Sequence, residues 1–262
     1  MNRRKFLEIT SSAALAGLGV AAGSAAANPL LGLIAPPADY PVPEEGLLMY
    51  SSRVRFSVFG LGLKTMTPEG YDSVIDRIVP GAQKLAKEGA NAILLMGTSL
   101  TFYRGAAFNQ QLTNDIKKAT GLPATTMSTA VVEGLRSMGG RRLAVSTAYN
   151  DEVNRRLKAF LQESGFEVLA LKGLGLESIE DPGKVTQSDL REFSANVFDM
   201  APKADAMLVS CGGLRTLEIL KPLEERIKVP VVSSTPHALW AGVKLLGVSG
   251  RVNGYGSLLV KG

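Results

Sequence analysis

Cys211 is the only cysteine in 262 residues. It stands where an apolar run meets a double glycine, in Leu208-Val209-Ser210-Cys211-Gly212-Gly213. A single thiol cannot close an intramolecular disulfide, and redox cycling needs a second cysteine. No Cys/His cluster accompanies it, so no metal site is expected. A nucleophilic cysteine needs a histidine base. The only histidine, His237, lies in Ser234-Thr235-Pro236-His237, one turn into an expected helix, and reads as a partly exposed residue outside the chemistry. Gly60-Leu61-Gly62-Leu63-Lys64-Thr65 looks like a phosphate loop but lacks the required spacing. Proton transfer to or from carbon remains. A thiol donates a proton to a carbanion or, as thiolate, removes one.

Such chemistry also needs a place for negative charge. Gly97-Thr98-Ser99 offers two hydroxyls, and Tyr149, after another apolar run, offers a third. Hydroxyls and backbone N–H groups converging on one spot would hold a dianionic, enediolate-like species. Each residue has a plainer reading too: helix capping for Thr98 and Ser99, a cleft wall for Tyr149.

The elements that must position these groups alternate. Apolar runs at 31–35, 55–59, 92–96, 143–147, 167–170, 206–210 and 229–233 read as buried strands. Thr67-Pro68-Glu69 starts a helix expected to reach Gly89 with a kink at Pro80. Asn150 caps another helix that ends near Gly165. This pattern predicts an α/β fold with parallel sheets. The chain also repeats itself. Ala90-Asn91-Ala92-Ile93-Leu94-Leu95-Met96-Gly97 aligns without gaps with Ala204-Asp205-Ala206-Met207-Leu208-Val209-Ser210-Cys211. Leu122-Pro123-Ala124-Thr125-Thr126-Met127-Ser128 aligns with Val229-Pro230-Val231-Val232-Ser233-Ser234-Thr235.

Two similar lobes are therefore expected, each a parallel four-stranded sheet flanked by helices, with an active-site cleft between the strand ends. The first lobe is read as 28–140 plus about 236–262, and the second as 141–235. The alignment sets Gly97 opposite Cys211, so one side of the cleft carries a thiol and the other carries nothing. Gly212-Gly213 is expected to turn the chain tightly into a helix, leaving the thiol near that helix's N-terminus.

Residues 1–27 read as a cleaved twin-arginine-type export signal, with Arg3-Arg4-Lys5, a mildly apolar stretch and Ala25-Ala26-Ala27. The expected location is periplasmic or exported, and cytoplasmic if the signal goes unused. The formal charge of +5 falls to +3 without these residues. No basic run or aromatic-basic interleaving remains, so no nucleic-acid partner is expected. Nor is a stable membrane span expected after cleavage. The partner is expected to be a small molecule, a dicarboxylate by the family resemblance given below, and the oligomeric state is open, with a monomer as the expectation. Three readings are open: a racemase- or isomerase-like proton-transfer enzyme, an exported carboxylate-binding protein and, by the family resemblance given below, a decarboxylase.

Several runs resemble the aspartate/glutamate racemase superfamily and, within it, the arylmalonate decarboxylase family. They are Gly32-Leu33-Ile34-Ala35-Pro36-Pro37, Met66-Thr67-Pro68-Glu69-Gly70-Tyr71-Asp72, Met96-Gly97-Thr98-Ser99-Leu100, the run 120–130 and 208–214. The resemblance covers nearly all of 30–260. It implies cofactor-free decarboxylation of disubstituted malonates, with Cys211 protonating one face of an enediolate. It implies that Thr98, Ser99, Tyr149 and the N–H groups of Ser99 and Gly212 hold one carboxylate. The other carboxylate would face an apolar pocket of Pro36, Leu63, Met66, Tyr71 and Ile179, with Gly97 at the vacant donor position. The loop 177–183, Glu-Ser-Ile-Glu-Asp-Pro-Gly, is more polar than the family's pattern.

Overall fold

The computed structural model describes residues 27–262. The export-signal reading therefore lies, but for Ala27, outside the described residues. Among the described residues, eight strands form two sheets. They are β1 (Leu30–Ala35), β2 (Arg55–Gly60), β3 (Ala92–Leu95), β4 (Ala124–Thr126), β5 (Arg142–Thr147), β6 (Glu167–Gly173), β7 (Ala206–Ser210) and β8 (Val231–Ser233). The helices are α1 (Glu44–Tyr50), α2 (Pro68–Asp72), α3 (Ile78–Lys87), α4 (Thr98–Phe102), α5 (Gly105–Thr120) and α6 (Met127–Ser137). They continue with α7 (Asp151–Glu163), α8 (Gln187–Asp199), α9 (Leu217–Ile227), α10 (Ser234–Leu245) and α11 (Ser257–Lys261).

The sheet orders are β2-β1-β3-β4 and β6-β5-β7-β8, and every pairing is parallel. The second sheet repeats the first, as the aligned segments require: β3 corresponds to β7 and β4 to β8. Every residue of β1, β3 and β7 is buried. Parallel strands covered by helices on both faces need such unbroken apolar runs. α6 and α10 follow the equivalent strands β4 and β8 and pack on each other across the two halves. α10 also lies against β3 and β4, while α11 lies beside β8, and the Ser257 hydroxyl donates to Glu224 of α9 at 2.6 Å.

The helix at 67–89 differs from expectation. Thr67 is its N-cap, accepting from the Gly70 N–H, but α2 stops at Asp72. A turn and a 3-10 segment, Ile75–Arg77, precede α3. Pro80 sits in the first turn of α3, where an intrahelical N–H is not required, so it does not kink the helix. Asn150 caps α7 through the Val153 N–H, as its sequence suggests.

Candidate active site

β3 and β7 deliver the two key positions. β3 ends at Leu95, and Gly97, at φ 93°, caps α4 directly. That left-handed backbone favours glycine. Thr98 and Ser99 are the first helical residues rather than caps, so both side chains are available to the cleft. β7 ends at Ser210, and Cys211 has φ 156°, at the border of the region that residues with a Cβ avoid.

The expected helix after Gly212-Gly213 does not start there. The segment 211–216 makes a turn in which the Leu214 N–H donates to the Cys211 carbonyl at 3.2 Å, and α9 begins only at Leu217. The thiol is thus set in a loop and not at a helix N-terminus. Burial pushes it up to about 11, against the opposing pull of the Gly213 and Leu214 N–H groups and the Tyr149 hydroxyl. With no helix dipole to stabilise a thiolate, desolvation prevails and the thiol stays protonated at neutral pH.

Ser234, the first residue of α10, joins the two sides. Its Oγ accepts from the Cys211 N–H at 3.1 Å and lies 2.7 Å from Thr98 Oγ1. A hydroxyl has one proton to give. Ser234 can give its own to Thr98, which frees the Thr98 proton for the cleft. Ser128 Oγ donates to the Thr98 carbonyl at 2.9 Å and fixes the start of α4 from the other side. Thr235 Oγ1 donates to the Gly212 carbonyl at 2.9 Å, which steadies the turn after Cys211. In the repeat, Ser234 stands opposite Met127, and that polar-for-apolar exchange at a helix start is the signal that could have singled it out.

These groups surround a chamber of about 60 Å³. Cys211, Gly212, Gly97, Thr98, Ser99, Pro36, Leu63, Met66 and Ile179, all expected at the site, line it. Tyr71 and Tyr149 stand directly behind that lining, both buried, with the Tyr149 hydroxyl facing the Cys211 thiol and the Tyr71 hydroxyl beside Ser99. Tyr149 lies 3.3 Å from Ser210 Oγ, with its ring edge-on to Phe102. Burial holds its phenol well above the ordinary value, and the Ser210 and Thr98 hydroxyls work against that. The Tyr71 hydroxyl is buried with no hydrogen-bond partner among the described residues. Burial raises its pKa and the nearby Ser99 hydroxyl opposes the rise. Tyr40, Pro37, Met96, Leu100, Met127 and Gly213 complete the wall without having been expected there.

Leu63, Met66 and Ile179 meet because the halves are clipped together. Thr65 and Ser178 form an antiparallel bridge. The Met66 N–H donates to the Glu177 carbonyl at 2.7 Å, and the Ile179 N–H donates to the Lys64 carbonyl at 3.0 Å. Met66 Sδ then lies 3.9 Å from Cys211 Sγ. His237 is fully buried, not partly exposed, and its Nδ1 accepts from the Ser233 N–H at 2.8 Å. Burial pushes it down to about 4, so it is neutral and engaged away from the thiol. Among the described residues no group of three His, Cys, Asp or Glu side chains is placed to hold a metal ion. None of the described helices is long and apolar enough to cross a membrane.

Two parallel four-stranded sheets flanked by helices define a fold class seen in solved structures. The maleate isomerase Iso from Pseudomonas putida S16 superposes with a TM-score of 0.81 over 88% of this chain and 98% of its own, at 20% identity, a likeness of fold. A model of the arylmalonate decarboxylase family matches residues 31–259, and the chain belongs to that family. It is 47% identical to arylmalonate decarboxylase of Bordetella bronchiseptica over 234 residues, 89% of this chain and 97% of that one. A liganded arylmalonate decarboxylase carrying one Gly-to-Cys and one Cys-to-Ser change superposes with a TM-score of 0.88. That structure is 46% identical and covers 90% of this chain and all of its own.

Proposed function

We propose that the protein releases CO2 from disubstituted malonates, arylmalonates among them, without a cofactor, and returns a proton to one face of the product carbon. One carboxylate is held by the hydroxyls of Thr98, Ser99 and Tyr149 and by the N–H groups of Ser99 and Gly212. The other faces Pro36, Leu63, Met66, Tyr71 and Ile179, where its charge is poorly solvated. When the C–C bond breaks, its electron pair stays on the α-carbon and spreads into the retained carboxylate. The resulting enediolate meets the hydroxyls and N–H groups. Cys211 Sγ–H gives its proton to the carbon, and solvent then reprotonates the thiolate.

The observation that carries this reading is a buried, protonated thiol whose partner position across the chamber is Gly97. A donor must hold its proton at working pH, and a two-sided racemase would need a second acid or base where Gly97 offers none. The test is CO2 release from 2-methyl-2-phenylmalonate by wild type and Cys211→Ser. Loss of a positioned general acid is expected to lower kcat by about 10²–10⁴ with the fold intact. Equal CO2 release by the two proteins would sink the assignment.

We further read residues 1–27 as a twin-arginine signal that delivers a monomer to the periplasm. Lysine replacement of Arg3 and Arg4 should keep the precursor in the cytoplasm, and size-exclusion chromatography with light scattering should return one chain's mass of about 25 kDa.

A further inference from the structure

Beyond the chamber lies an open vestibule of about 1010 Å³. Pro37, Tyr40, Leu63, Ile179, Gly212 and Gly213 line both spaces and form the neck between them. Tyr40 is the only one of these with a polar side chain. No hydrogen bond to a described residue occupies its hydroxyl, and burial, aided by Glu45 and the thiol, pushes its pKa up to about 12, so it remains a donor.

Small-molecule pockets usually run to several hundred Å³ (about 300–1,000 Å³). The chamber of about 60 Å³ has room for the reacting carbon's small groups and not for a ring. On the decarboxylase reading, on which this inference rests, the larger substituent of the malonate must therefore pass the neck beside Tyr40.

The loop that carries Tyr40 is built to hold it. Prolines at 36, 37, 41 and 43 fix φ along it. The Leu61 and Leu63 N–H groups donate to the carbonyls of Ala35 and Pro36, both at 2.8 Å. Gly60 lets β2 press against the loop, since a Cβ there would run into the Ala38 carbonyl. The vestibule beyond contains Lys64, Glu180 and Arg215, a polar setting for whatever emerges from the neck.

We propose that Tyr40 is a specificity-determining residue whose ring flanks the larger substituent in the neck and whose hydroxyl donates a hydrogen bond to an acceptor atom on it. The favoured substrates are malonates with a planar substituent bearing an ether oxygen, a carbonyl or a ring nitrogen.

The test compares full-length wild type, Tyr40→Phe and Tyr40→Leu on 2-methyl-2-phenylmalonate and on its methoxyphenyl and pyridyl counterparts. Tyr40→Phe should lower kcat/KM about fivefold on at least one acceptor-bearing substrate, mainly through KM, and leave the phenyl compound unchanged; fivefold is the worth of one net hydrogen bond. Tyr40→Leu should weaken all three, and product handedness should not change. An equal effect of Tyr40→Phe on all three substrates, or none on any, would overturn the inference while leaving the decarboxylase reading standing. Absence of CO2 release by wild type from every malonate would overturn both.

Discussion

The exits of β3 and β7 start from equivalent positions and diverge at once. After β3, Gly97 turns the chain straight into α4, and two hydroxyls arrive in the chamber wall. After β7, the chain delays α9 until Leu217 and leaves a thiol in a desolvated turn. The first exit brings only groups that hold charge, whereas the second also brings the proton. An immediate helix start supplies N–H groups that favour an anion. The delayed helix removes that influence from Cys211 and keeps the thiol in the form that donates. The asymmetry between two copies of one unit is what makes the cleft one-sided, and Ser234 ties the copies together.

This contrast can be broken most severely from the charge-holding side. Thr98→Val keeps the shape but removes one hydroxyl from the hole and from the Ser234 link, and kcat should fall by about 10²–10³. Retention of wild-type kcat would remove Thr98 from the anion-holding group.

The proton-holding side can be sharpened by titration. Thiolate absorbance of the native protein should rise with a midpoint near 11, against about 8.5 for an exposed thiol. A midpoint below 8 would mean the turn stabilises thiolate after all, and the donor role would need a different resting state.

The smallest effect lies behind the site. His237 has its pKa lowered to about 4 by burial, so between pH 6.5 and 4 the unfolded chain binds a proton that the folded chain refuses. Stability present at neutral pH is therefore lost as pH falls through that window. His237→Gln should flatten this part of the urea-midpoint profile, and an unchanged difference between pH 7 and pH 4.5 would show that other groups cause it.

Much of this was legible in the sequence, because the repeat carries positional information that a single segment does not. Gly97 and Cys211 face a common chamber, and both adjoin ends of equivalent strands, as the alignment of 90–97 with 204–211 implies. The break after Asp72 was not legible. Thr67-Pro68 starts a helix correctly, but the burial of Tyr71 and the turn at Ser73 are tertiary demands that local pattern does not register. The delay of α9 was hidden for a related reason: Gly-Gly permits a tight turn without dictating where the next helix begins. Leu63, Met66 and Ile179 came only through family resemblance, since the Thr65–Ser178 bridge that gathers them joins segments from opposite halves. Tyr40 carried no local motif and is defined by lying between two cavities; Ser234, marked only by its exchange for Met127 in the repeat, is defined by reaching the Cys211 N–H and the Thr98 hydroxyl.

If the strand exit that carries the thiol sets the handedness of the product, moving the thiol must reverse it. A Gly97→Cys, Cys211→Ser double variant makes that move, and the quantity to measure is the optical purity of the monoacid from 2-methyl-2-phenylmalonate. A Cβ at Gly97 would lie 2.6 Å from Pro36 Cγ and sits at φ 93°, so this variant will be less stable and slower than wild type. Its product should show an excess of the enantiomer opposite to the wild-type one. The same enantiomer in the same excess would contradict the one-sided donor, because the proton would then come from a group other than the thiol facing the carbon.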